Sequence, residues 1–298
     1  MSKYDEVLEK IAAEVIKKME TVGGSWAKSW ISSGNGLHVQ ATNQTPYKGL
    51  NQIILMFEAD DNGFDSSEWA TYKTWETAGS QVRKGEHGVT LVRWIEKKCK
   101  DHGADVVCSV CLGGAPLIPV TFTVFNSEQC DHTTWEKHQE MPPIGDGNER
   151  IAEIDEWISA LGVTLRHGGD RAYFRPATDH VQMPEITDFF SAGQYYSVLF
   201  HEITHWSGGA KRLNRVTPAK FGSEAYAYEE LVAELGSVFL GAQWGVESEM
   251  RDDHVLYLKG WISALKNDPK MLFKAASDAS KAAEFLERHA DGGKVIAA

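Results

Sequence analysis

The 298-residue chain has only four cysteines and nine prolines, and it has no long apolar run. Four cysteines in a chain of this length do not make a disulfide framework. Without a run of about 18 apolar residues, no membrane-spanning helix is expected. Residues 1–20 mix acids and lysines without an apolar stretch, so they do not read as a secretory leader. The expectation is a cytoplasmic protein with no membrane partner. Basic residues are scarce too: 30 Lys and Arg against 42 Asp and Glu leave a formal charge of −12. A surface that grips nucleic acid along its whole length needs the opposite balance. What is present, 42% hydrophobic and 24% charged residues, is ordinary globular composition. At roughly 150 residues per domain the length suggests two domains.

Periodicity divides the chain. Tyr4, Val7, Leu8, Ile11, Val15 and Met19 recur every three or four residues, which predicts an amphipathic helix ended by Gly23 and Gly24. Residues 32–51 are rich in Gly, Asn and Ser and read as loop, and Asn51 to Glu58 reads as a short helix. Val89 to Ile95 and Pro119 to Phe125 alternate and are β-branched, the pattern of two strands joined by a long hairpin connection. Met141 to Asn148 (MPPIGDGN) is rich in Pro and Gly and is the expected linker, giving domains at 1–140 and 149–298. Beyond it, helices are expected at 150–160, 189–206, 223–244, 252–266 and 269–289, with short strands at 163–176 and 180–184. The fold class is α+β: an N-terminal α/β domain joined to a mainly helical domain with a small sheet.

One motif carries chemistry. His201-Glu202-Ile203-Thr204-His205 is H-E-x-x-H. Residues four apart on a helix share a face, so both imidazoles can bind one cation, and Glu202 stands beside them to take a proton from a water that the cation activates. The competing reading is two ordinary helix histidines. A catalytic zinc usually takes three protein ligands. A third histidine six residues after His205 is absent, since position 211 is lysine. A glutamate from a later helix remains: YAYEELVAEL supplies Glu229, Glu230 and Glu234 among apolar neighbours, where acids are costly to bury without a purpose. Glu230 and Glu234 share a face, so one can ligate while the other orients a histidine. Glu229 shares its face with Ala233 and Gly236, where helices approach closely. The sequence does not choose between Glu229 and Glu230. Two histidines and a glutamate suit zinc best, with manganese as the alternative.

The N-terminal half holds a local exception to the acidic average. Between Thr71 and Lys100 lie seven basic residues, Lys73, Arg83, Lys84, Arg93, Lys97, Lys98 and Lys100, against Glu76, Glu86 and Glu96. Trp69, Tyr72, Trp75 and Trp94 interleave with them. Cations that track a backbone and aromatics that stack bases are what sequence-neutral single-strand binding requires. Gly85 and Gly88 place backbone donors in the same turn. The alternative is a charged hairpin surface over core tryptophans. Cys108-x-x-Cys111, with Cys99, His102, Cys130 and His132 nearby, can be read as a zinc knuckle, but its five-residue loop is short and reduced thiols on a hairpin are the expectation.

The run HEITHWSGG, then KRLNR, then FGSEAYAYEELVAEL resembles the zincin-like domain of the ArdC-type antirestriction proteins of conjugative plasmids. DHVQMP at 179–184 resembles the edge strand before that family's motif helix, which in zincins can pair with an extended peptide. PYKGLN, ATYKTWETAGSQVRKGEHG and VFNSEQ resemble the accompanying N-terminal domain, with His87 where lysine is usual. The resemblance implies a domain that binds single-stranded DNA, with Tyr47, Lys48, Asn51, Tyr72, Lys73, Trp75, Arg83, Lys84 and Trp94 at the matching positions. It also implies a metalloprotease site and protection of entering plasmid DNA, with a host restriction component as candidate target. Two other readings stay open: a protector whose metal site is structural or vestigial, and a protease acting on proteins crosslinked to DNA.

Overall fold

The computed structural model describes residues 3–22, 36–96, 117–132, 135, 151–217, 219–220, 222–246 and 265–292. The expected linker at 141–148, the 252–264 part of a predicted helix, and Cys99, His102, Cys108 and Cys111 lie outside the described residues. So do Trp26, Trp30, Lys97, Lys98 and Lys100. No described helix is long and apolar enough to cross a membrane.

The N-terminal half begins with helix α1 (Lys3–Val22), which buries Leu8, Ile11, Val15 and Met19 as the spacing predicts. Strand β1 (Val39–Gln40) leads to α2 (Leu50–Asn62), which starts at Gly49 and ends at Gly63 in the left-handed conformation. Strand β2 (Glu68–Ala70) precedes α3 (Tyr72–Thr77), whose first turn is capped by Thr71 Oγ1 accepting from the Thr74 N–H. Strands β3 (Ser80–Val82), β4 (Val89–Glu96), β5 (Leu117–Asn126) and β6 (Cys130–His132) follow. β4 and β5 form the expected antiparallel pair, with Trp94 opposite Pro119, inside a sheet ordered β1-β2-β5-β4. β3 and β6 make a separate antiparallel pair.

The second half holds α4 (Ala152–Ala160) and strands β7 (Thr164–His167), β8 (Tyr173–Arg175) and β9 (His180–Met183). It continues with α5 (Ala192–Ser207), α6 (Glu224–Trp244) and α7 (Lys270–Ala290). Three expectations need correction. The stretch 163–176 is two strands, parted by a turn in which Gly168 and Gly169 both have positive φ. The motif helix starts at Ala192, because Ser191 Oγ accepts from Gln194 N–H and caps it there. The 180–184 segment is not an edge: the sheet order is β7-β9-β8, so β9 is central and β8 is an edge.

One core joins the two halves. Leu8, Val15 and Met19 of α1, Ile53 and Phe57 of α2 and Val92 of β4 belong to the same buried cluster as Leu199, Leu235 and Leu272 of α5, α6 and α7. Helix α7 is the common member. It packs on α5 and α6, and also on α1 and α2. Where α2 begins, the Gly49 N–H donates to Ser280 Oγ of α7 at 2.8 Å and Lys48 Nζ meets Glu284 at 2.8 Å.

Candidate metal centre

Helix α5 carries His201 and Glu202 almost fully buried, and His205 close to it. Helix α6 lies against it. Gly236 makes this approach possible, since a β-carbon there would sit 2.5 Å from Thr204 Cγ2. The Nε2 atoms of His201 and His205 are 3.1 Å apart. Each is 3.6 Å from a carboxylate oxygen of Glu230. Three donors about 2.0–2.1 Å from one ion would stand about 3.4 Å from each other, so the set has the spacing of a ligand triad. Its ligand atoms all lie within 4.8 Å of one another. Glu230 is thus the acid on α6 that reaches both Nε2 atoms.

The other two acids turn to the opposite ring edges. Glu234 Oε2 lies 3.2 Å from His201 Nδ1, and Glu229 Oε1 lies 3.1 Å from His205 Nδ1. A carboxylate at Nδ1 accepts that N–H and so fixes the tautomer of the neutral ring, leaving Nε2 as the nitrogen that would meet a cation. Glu229 is itself fixed by Arg215, whose Nε and Nη2 donate to it at 2.8 and 2.9 Å. Burial would raise the Glu229 carboxyl, but His205 and Arg215 outweigh it and hold it below its usual range. Burial would also keep the His201 ring neutral; the carboxylates of Glu230, Glu234 and Glu202 overcome this and raise its pKa to about 10. The centre therefore holds more negative charge than its own side chains neutralise, which is the environment of a cation.

Glu202 lies on the side facing the sheet. Its Oε2 accepts from the Phe174 backbone N–H of β8 at 2.9 Å. A cleft of about 1840 Å³ opens here, with Arg171 to Ala177 on the β8 side and residues of α6 and α7, among them Tyr228 and Lys274, also lining it. The loop after α5 is pinned by Arg212, which lies over the Trp206 ring at 4.0 Å from its centre and pairs with Asp179. Sequence reasoning gave no role to Phe174, Arg212 or Arg215. A backbone donor leaves no sequence signal, and the two arginines were visible only as part of the KRLNR run.

The nine positions matched to DNA binding separate into two sets. Trp75 is fully buried in a cluster with Ala41, Ala70, Val82 and Cys130, and its Nε1–H donates to the Phe125 carbonyl. It cannot offer a ring face to a base, which corrects the sequence expectation. Asn51 exchanges two hydrogen bonds with the Val92 backbone, at 2.7 and 2.9 Å, so it secures β4 to α2. Tyr47 is half-buried and donates to the Trp69 carbonyl; burial pushes its hydroxyl well above the usual range. Lys48, Tyr72, Lys73, Arg83, Lys84 and Trp94 are exposed. Of these, Lys48 is paired with Glu284, and Arg83 is tied to Glu86 and to the Glu128 carbonyl. Among the described residues of this region, Trp94, at 49% exposure, and Tyr72, at 47%, are the aromatic faces left at the surface. Trp69, like Trp75, is core.

Comparison with known proteins adds to this geometry. A family model for the N-terminal domain of anti-restriction factor ArdC matches residues 5–141, and one for a zincin-like metallopeptidase matches residues 152–278. The metal-free crystal structure of the antirestriction ArdC protein from plasmid R388 superposes with a TM-score of 0.78 at 32% identity, covering 98% of this chain and 99% of that one. The chain belongs to the ArdC antirestriction family. The Mn(II)-bound structure of the R388 protein matches equally, with a TM-score of 0.78 at 31% identity over 97% of this chain and 98% of that one. A protein of Sinorhizobium fredii is 36% identical over 94% of this chain and 91% of its own length. The DNA primase TraC of Escherichia coli is 34% identical over 93% of this chain, which spans only 27% of the primase. The fold is the α+β arrangement expected, and a zincin-like domain implies a divalent metal, which the donor set at His201, His205 and Glu230 fits.

Proposed function

We propose that this protein binds single-stranded DNA through its N-terminal half and hydrolyses peptide bonds in its second half, protecting entering plasmid DNA from host restriction during conjugation. The observation that carries the proposal is the convergence of His201 Nε2, His205 Nε2 and Glu230 beside Glu202, at the floor of an open cleft. His201, His205 and Glu230 are assigned as ligands, zinc being the ion such donors favour and manganese the alternative. A bound divalent ion supplies Lewis acidity, polarising a substrate carbonyl and making water acidic enough to react near neutral pH.

The residues of the chain do the rest. Glu234 and Glu229 set the tautomers of the two histidines. Phe174 N–H holds Glu202 at Oε2, so that its carboxylate stands fixed beside the ligands, takes the proton of the attacking water and returns it to the leaving amine. For DNA, Tyr72 and Trp94 are the stacking residues and Lys73, Lys84 and Arg93 the phosphate contacts. The reaction and the binding are placed in the bacterial cytoplasm, where a restriction component or another DNA-associated protein is the candidate target.

The test is Glu202→Ala in the full-length chain, assayed for cleavage of candidate target proteins and for protection of plasmid DNA in a conjugation assay. Loss of both at unchanged expression supports the hydrolase. Protection that persists without cleavage assigns the centre a structural role. Cleavage confined to protein crosslinked to DNA selects the third reading.

A further inference from the structure

The charges lining the cleft are unequally engaged. Of its acids, Glu202, Glu229 and Glu230 belong to the metal centre. Asp278 accepts from the Tyr228 hydroxyl at 2.8 Å and from Lys281 at 3.0 Å, Asp268 accepts from the Lys270 backbone N–H, and Glu224, the first residue of α6, is exposed and also lines the cleft. The cations differ. Arg175, at the end of β8, lies over the ring of Tyr173 at 5.1 Å, and Lys274 of α7 lies over the ring of Tyr228 at 5.0 Å. Neither has a carboxylate partner among the described residues, and all four side chains line the cleft. Arg171, exposed on the same side as Arg175, adds a third cation.

β8 approaches α5 at Glu202, whereas α6, with Tyr228, approaches it at the two histidines. The two tyrosine-backed cations therefore flank the metal centre on different walls. An aromatic ring behind a cation shields one side of it and leaves the outward N–H groups directed at an incoming anion. Among the described residues the cleft is lined by five cations and six acids, so charge selectivity rests on position: Arg175 and Lys274 stand beside the centre without a carboxylate partner among those residues.

Resting on the hydrolase reading above, we propose that the cleft takes an acidic polypeptide segment. Carboxylate side chains of that segment pair with Arg175 on one wall and Lys274 on the other while its backbone passes the metal centre. The wall that bears Arg175 favours a polypeptide over a nucleic acid, because it stands over the centre of a zincin-like metallopeptidase domain; the outward N–H of β8, at Phe174, is already given to Glu202. The centre beneath it, with a carboxylate held beside two histidines, suits an amide carbonyl.

The experiment uses the full-length Glu202→Gln protein loaded with Mn(II), so that bound peptides are not consumed. Fluorescence anisotropy is read with three labelled twelve-residue peptides of one length: one with alternating Asp and Glu, one with Asn and Gln in their place, one with Lys. The acidic peptide is expected to bind about tenfold or more tighter than the neutral one. Arg175→Gln and Lys274→Gln should each cost it about three- to tenfold, a range set by partly exposed ion pairs. The double substitution should erase the preference while leaving the neutral peptide unchanged, and an unchanged melting temperature separates this from misfolding. Equal binding of acidic and neutral peptides overturns the proposal, as does a preference that survives the double substitution. Metal-dependent cleavage by the unsubstituted protein with no charge preference leaves the hydrolase reading standing and removes only this inference. Absence of both cleavage and peptide binding removes both. Loss of oligothymidylate binding in the double variant, with no peptide bound, assigns the cleft to nucleic acid instead.

Discussion

Gly236 on α6 faces Thr204 on α5 with no room for a side chain between them, a β-carbon at 236 lying 2.5 Å from Thr204 Cγ2 and 2.6 Å from its Oγ1. The contact sits between the two histidines' helix and the helix that brings Glu230, so the helix spacing and the ligand spacing are one quantity. Gly236→Ala should push the helices apart, at about 1–3 kcal/mol of overpacking, and weaken metal binding more than it lowers the melting temperature of the chelated protein. Calorimetric titration with Mn(II) and Zn(II) checks this. Unchanged affinity in a folded Gly236→Ala protein would show that the ligands tolerate the shift.

The three acids of α6 should separate by their distances. Glu230→Gln removes the carboxylate that reaches both Nε2 atoms and should abolish measurable metal binding at micromolar concentrations. Glu229→Gln and Glu234→Gln each remove a partner of a histidine Nδ1 and should cost about 10- to 100-fold. Chelation of the wild-type protein should lower its melting temperature by several degrees, since an ion held at about 100 times its Kd contributes roughly 2.7 kcal/mol. If Glu229→Gln proves the most damaging of the three, the ligand assignment is wrong.

Trp94 and Trp75 should behave as opposites. Trp94→Ala, alone or with Tyr72→Ala, should weaken binding of a single-stranded oligonucleotide by roughly 1–3 kcal/mol per stacked base and leave urea stability within about 0.5 kcal/mol. Trp75→Ala should cost about 3–5 kcal/mol of stability, and any surviving folded protein should bind the oligonucleotide normally. Anisotropy at two salt concentrations, paired with urea melts, distinguishes them.

His38 should give the N-terminal half an acid limit. It is fully buried, and burial lowers its pKa to about 3 although its bond to the Ser67 backbone opposes the shift. Its Nδ1 accepts from Trp69 Nε1–H at 2.9 Å, so a proton there would break that bond. The folded pKa lies below the unfolded value of about 6.5, so the unfolded chain binds the proton first as pH falls. The stabilisation is complete above about pH 6.5 and shrinks as the pH drops towards 3, by about 2 kcal/mol at pH 5. His38→Gln keeps an acceptor for Trp69 without titrating, and urea melts between pH 7.5 and 5 should show a shallower slope for it. Equal slopes would dissociate His38 from the acid limit.

The motif helix was legible because His201, Glu202 and His205 need nothing beyond helical spacing to share a face. The third ligand was not, because Glu229 and Glu230 are neighbours about 100° apart around α6, and only the docking of α6 on α5 decides which one faces the Nε2 atoms. The basic and aromatic run from Thr71 was visible as composition, but composition does not say which ring turns inward. Trp75 follows the N-cap of a short helix and points into the core, while Trp94 lies on the outer part of a strand. β1, β2, β3 and β6 have two or three residues each, too few for an alternation to be read. β9 reads as a good strand in sequence, yet its place at the centre of its sheet depends on β8 folding back beside it after the Gly168-Gly169 turn.

Helix α7 ties these observations to the behaviour of the whole molecule. Its first half lines the cleft with Lys270, Lys274 and Asp278, and its second half receives Gly49 at Ser280 and Lys48 at Glu284. Two fragments divided between the matched spans would each carry an uncovered flank of the common core, α1 and α2 on one side and α7 on the other. Such fragments should be poorly soluble apart and should reassemble when mixed, as a split protein does, recovering metal binding only on reassociation. The order of synthesis follows from the same contact: α1 and α2 are made well before α7, the helix that closes over them.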